Sequence, residues 1–228
     1  MINLIARGVV LAAVLSMIGC ANRPVPPEWQ SSALGSVKGF TAAYLEGNTK
    51  VADFEFGRAK ADIAATGRVD FNARAELVRC AVRVASLAFD NCAGVQTLDA
   101  DTAAPERAYA RYLRAGRGTL DSAQVALLPE QHRSIAATKD AGVSTAALTA
   151  ITDPLARLIA AGVLFQAGEM SPASVTVAVN TASDQGWRRP LLAWLGVQLK
   201  LMEAGGDLEG KARVQRRIDL VLSTEKAP

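Results

Sequence analysis

From Glu28 onward the chain reads as a series of amphipathic stripes punctuated by glycine. Trp29, Ala33, Val37, Phe40 and Tyr44 recur every three or four residues, which predicts one buried face of a helix over 28–46. Gly47-Asn48 is a stop-and-turn pair. Ala52, Phe56, Ala59 and Ile63 predict a second helix over roughly 49–65, closed by Thr66-Gly67. Asp70 is placed to cap a third over 71–88, with Ala73, Leu77, Cys80, Val84 and Leu87 facing inward. Near the C-terminus a helix over 190–203 is followed by Gly205-Gly206-Asp207 and a helix over 208–222, whose buried stripe is Val214, Ile218 and Val221.

Residues 93–152 are less regular. Asp99 to Pro105 reads as a loop, and Glu106 to Ala115 as a short helix closed by Gly116-Arg117-Gly118. Asp121 or Ser122 is placed to cap another helix ending at Pro129. The expected fold class is all-α, built of stacked antiparallel helical hairpins over 28–224. A subdomain boundary, if there is one, falls near 94–105.

Within the first hairpin, Tyr44, Gly47, Ala52, Phe56 and Ala59 form a further pattern: an aromatic late in one helix, glycine at the turn, then small, large and small residues in the next. This resembles the tetratricopeptide repeat, although the Tyr44-to-Ala52 interval is one residue short of the consensus. Small side chains on the second helix let the first approach, and the aromatic fills the space beside them. Phe165, Gly168, Ala173 and Val177 repeat the intervals of Tyr44, Gly47, Ala52 and Phe56. Gly162 and Gly196 lie 34 residues apart, the period of that repeat. The resemblance implies a concave surface that binds peptides or proteins, and so an adapter or scaffold. An unrelated antiparallel helical domain with the same glycine-terminated turns is the other reading.

The first twenty residues change the picture. Arg7 precedes an uncharged, largely apolar run from Gly8 to Gly19, closed by Met17-Ile18-Gly19-Cys20. Twelve residues are too few for a membrane-spanning helix, which takes about 20; the pattern is that of a secretory signal peptide. The cysteine directly after Gly19 resembles the lipobox of bacterial lipoproteins, with Met17 where that family usually has leucine. The resemblance implies removal of residues 1–19, lipidation of Cys20 and attachment to the membrane through the N-terminal lipid. Ala21 in place of aspartate implies the periplasmic face of the outer membrane, with the inner membrane as the alternative. Residues 20–27 then form a Pro-rich tether, with three prolines in Pro24-Val25-Pro26-Pro27. At about 3.1 Å per residue such a strap reaches roughly 20 Å.

Half the chain is hydrophobic, enough for a packed core. The net charge of +3, with both signs interspersed, gives no argument for a nucleic-acid partner. Cys80 and Cys92 remain as an even pair in an exported chain, so a disulfide is expected. The segment after the helix is long enough to bring Cys92 back to Cys80 and would clamp Asp90-Asn91 at the helix end. A redox or metal pair is the weaker reading, because there is no Cys-x-x-Cys and only one histidine.

That histidine, His132, is expected at the surface or in a helix cap. No Gly-x-Ser-x-Gly, phosphate loop, Gly-x-Gly-x-x-Gly or His-Glu-x-x-His is present, so no catalytic residue, cofactor or metal site is expected. Arg107, Arg111 and Arg114 share one helical face, interleaved with Tyr109 and Tyr112. This is a candidate face for an anionic partner. The functional expectation is a membrane-anchored, periplasm-facing adapter for an envelope protein partner. Its rival is an envelope-associated binder of peptidoglycan, lipid or another small ligand, and an enzyme is not expected.

Overall fold

A computed structural model describes residues 27–98, 102–115, 118–138 and 145–223. Residues 1–26, on which the expected signal peptide, Cys20 and most of the expected tether fall, lie outside the described residues, as do Asp99 to Asp101 and Gly116-Arg117. Among the described residues there are twelve helices and no strand. Adjacent helices pack in pairs, so the fold is an all-α stack of hairpins.

In order, α1 spans Glu28–Glu46, α2 Thr49–Ala64 and α3 Val69–Ala85. The short α4 (Ala93–Gln96), α5 (Ala104–Ala115), α6 (Ser122–Leu127), α7 (Glu130–Ala137) and α8 (Thr145–Thr149) follow. The chain closes with α9 (Pro154–Gln166), α10 (Pro172–Asp184), α11 (Arg188–Ala204) and α12 (Leu208–Ser223). No described helix is long and apolar enough to cross a membrane.

Local chemistry sets the element ends. Gly47 takes a left-handed conformation (φ 94°), and the Asn48 side chain accepts from the Val51 N–H at 3.2 Å to start α2. Asp70 does not cap α3. It lies in the first turn, where it is bound by Arg68 at 2.8 and 2.9 Å, and Arg68 itself is the residue before the helix. Asp121 and Gln124 form a reciprocal capping box on α6. Asp153 and Ser171 cap α9 and α10, each followed by proline in the first turn.

α3 ends at Ala85, three residues short of expectation. The Ala88 N–H donates to the Arg83 carbonyl and the Leu87 N–H to the Val84 carbonyl, with Leu87 left-handed. This is a Schellman-type closure with leucine where glycine is usual. The chain then turns back so that Cys92 meets Cys80 in a disulfide, Cα to Cα 5.1 Å, with both cysteines buried. Asp90, inside the closed loop, pairs with Arg83 at 2.9 Å.

Two apolar clusters share α3. Phe40, Tyr44, Phe56 and Ile63 from α1 and α2 pack with Ala75 and Val82 of α3. Leu77, Val84 and Ala85 of α3 join the larger core with Tyr112, Leu113, Ile135, Leu158, Leu164 and Trp194. Residues from either side of 94–105 therefore contribute to one core. The α3–α9 contact is close: a Cβ on Gly162 would collide with the Val84 carbonyl and side chain.

The stack also has contacts that a linear solenoid lacks. Trp194 of α11, fully buried, donates from Nε1 to the Ala85 carbonyl at 3.1 Å. Arg189 donates to the Tyr44 carbonyl at 2.7 Å and to Thr49 Oγ1 at 2.8 Å, with its guanidinium over the Tyr44 ring. α11 thus fastens the C-terminal hairpins to the N-terminal one.

Candidate functional site

An apolar concavity lies between α1 and α3. Trp29, Ala33, Leu34 and Val37 supply one wall, Phe71, Ala75 and Val78 the other, and Ile63 from α2 closes it. Its volume is about 230 Å³. The spacing Trp29, Ala33, Val37 is the stripe read from the sequence, but the stripe is not wholly consumed by packing. Trp29 and Phe71 meet edge to face at 5.4 Å between ring centres. Leu34 remains 55 % exposed at the rim.

Two arginines stack on Phe71, and one of them, Arg74, lines the groove. Arg68 and Arg74 stack over Phe71 at 4.5 and 5.4 Å, and Arg74 also reaches Glu106 of α5 at 2.8 Å. The groove begins at the first turn of α1, directly after Pro27. Sequence reasoning missed it, because Leu34 and Phe71 lie outside the stripes assigned to the core. Their signal was an apolar residue at a position where periodicity calls for a polar one.

A second surface is the outward face of α5. Arg107, Arg111 and Arg114 line one depression of about 270 Å³ together with Gln124 of α6, over Ala104 and Ala108. The three arginines expected to share a face do so. Arg107 donates to the Thr102 carbonyl, and Arg111 reaches Gln124 Oε1 at 3.4 Å.

The inward face of α5 carries an aromatic group with His132. Tyr109 and Tyr112 lie 5.6 and 5.2 Å from the His132 ring, centre to centre. This corrects the surface or capping role expected for His132, which is 1 % exposed in α7. Burial pushes its pKa from 6.5 down to about 4, with Asp153 acting weakly in the opposite sense. Burial likewise raises both tyrosines far above the usual phenol range. Among the described residues, His132 Nδ1 and the Tyr112 hydroxyl have no hydrogen-bond partner.

Among the described residues no group of three His, Cys, Asp or Glu is placed to hold a metal ion. No protein family, curated protein or solved structure matches this chain.

Proposed function

We propose that the protein is a lipid-anchored adapter of the bacterial envelope, which holds a protein partner in the groove between α1 and α3. The observation that carries this reading is the groove itself. It is apolar, open, and rimmed by an exposed leucine and by Arg74, which stacks on Phe71. An apolar slot between helices suits a partner segment that inserts one or two large apolar side chains, the helix-in-groove mode of recognition. The resemblance of Tyr44, Gly47, Ala52, Phe56 and Ala59 to tetratricopeptide hairpins supports the same use.

The anchor rests on the lipobox-like Met17-Ile18-Gly19-Cys20. With a tether of roughly 20 Å, an acylated Cys20 keeps α1 beside the membrane, so the partner belongs to the envelope and faces the periplasm. The chemistry asked of the protein is recognition and tethering, with no reacting group.

The test is crosslinking in living cells, gentle solubilisation of envelopes and a native pull-down read by mass spectrometry, with Cys20→Ala as control. The proposal expects one dominant envelope protein that is lost with Cys20→Ala. Recovery of cell-wall fragments or lipid and no protein would overturn it in favour of a ligand binder.

A further inference from the structure

We infer that the arginine-lined depression on α5 is a binding site for a phosphate-bearing ligand, separate from the α1–α3 groove. Three guanidinium groups, spaced at three and four residues along one helix, face a single small concavity. Small residues, Ala104 and Ala108, form its floor and leave room for a ligand between the long side chains. Two of the arginines already have polar contacts within the protein. The Arg107 guanidinium donates to the Thr102 carbonyl, and Arg111 reaches, at 3.4 Å, the Gln124 Oε1 that also accepts from the Asp121 N–H at 3.2 Å. Tethered guanidiniums lose less freedom when they capture an anion.

Among the described residues no carboxylate compensates the charge of this face. Glu106, the one carboxylate on α5, is engaged by Arg74 at 2.8 Å. Asp121, the nearest capping carboxylate, accepts from the Gln124 N–H at 2.8 Å. Among the described residues, none of Arg107, Arg111 and Arg114 has a carboxylate within ion-pair distance. Here the opposite face is the buried one, with Tyr112 and Leu113 in the core, so α5 cannot turn its arginines elsewhere.

Phosphate fits this arrangement better than carboxylate. Phosphate monoesters offer three strong acceptor oxygens and a charge near −2, and each guanidinium can grip two of those oxygens at once. A depression of about 270 Å³ admits a headgroup-sized ligand. A free phosphorylated solute supplies that chemistry in full, and the phosphodiester headgroup of an anionic phospholipid supplies it in part, with a single charge and two terminal oxygens that still allow bidentate guanidinium contact.

Full-length protein in neutral detergent micelles is titrated calorimetrically with inorganic pyrophosphate, and separately with the same micelles doped with phosphatidylglycerol. Arg107→Gln/Arg111→Gln/Arg114→Gln and the single variant Arg114→Glu are run alongside, with helical circular dichroism as the fold check. Arg114 makes no hydrogen bond or ion pair among the described residues, so Arg114→Glu keeps the test sound if the triple variant fails to fold. Saturable pyrophosphate binding that weakens at least about tenfold in the variants identifies a soluble phosphate-bearing ligand. Binding only to the doped micelles, with the same loss, identifies a lipid headgroup. No binding in either arm, or binding undiminished in the folded variants, overturns the inference.

Discussion

His132 shows how far a single residue's role depends on what packs over it. It lies in Pro129-Glu130-Gln131-His132-Arg133, a polar run with no apolar stripe, so nothing local marks it for the core. Its burial is decided by Tyr109 and Tyr112, which belong to another helix. The consequence is a pH dependence with a definite sign. Folded, His132 takes up a proton only near pH 4; unfolded, it does so near 6.5. Between those values the unfolded chain binds more protons, so acid favours unfolding. The stabilisation from the neutral imidazole is complete above pH 6.5 and is lost as pH falls towards 4. It is worth on the order of 3 kcal/mol over that interval. Urea unfolding at pH 7 and pH 4.5 is expected to show this loss in the native chain, and a much smaller one in His132→Phe. Equal losses in both chains would mean that other groups set the acid sensitivity.

At the scale of elements, the 34-residue offset between Gly162 and Gly196 invites one explanation, and the packing supplies two. Gly162 lies where α9 crosses α3, and any Cβ there strikes Val84. Gly196 in α11 has open space where its Cβ would be. Gly162→Ala is therefore expected to destabilise by about 1–3 kcal/mol through overpacking. Gly196→Ala should be neutral or stabilise by up to about 1 kcal/mol, the helix propensity gained. Equilibrium unfolding of the two variants decides it; equal effects would mean that α3 and α9 are not in close contact.

The same contrast explains which helices the sequence revealed. α1, α2, α11 and α12 each have one buried stripe, the first three also have clear glycine stops, and the observed bounds of all four agree with the periodicity to within about two residues. α9 was less legible as an element, since Leu158, Ile159, Ala160, Ala161, Val163 and Leu164 are all buried and leave no polar face to set a period. α4 and α8 are a single turn each, too short for any stripe. The end of α3 was misplaced because leucine, a residue that favours helix, occupies the left-handed position that ends it.

Seen whole, the molecule is a hairpin stack pulled together by α11, through Trp194 to the end of α3 and Arg189 to the α1–α2 turn. These contacts join residues 109 and 145 positions apart, which no local pattern encodes. The disulfide was legible because its spacing and the reach of the chain after α3 sufficed. The arginine face was legible because helical spacing alone fixes it. The groove was not, since it exists only where α3 fails to cover α1. That strip runs along the first turns of α1 and is the surface proposed to take the partner. The most direct measurement places a photo-crosslinking amino acid at position 34, at the groove rim, and another at position 208 on α12, where Leu208 is 79 % exposed. Irradiation of living cells is expected to give one discrete protein adduct from position 34 and none from position 208. No protein adduct from position 34, or the same adducts from both positions, would contradict the assignment of the groove as the partner-binding surface.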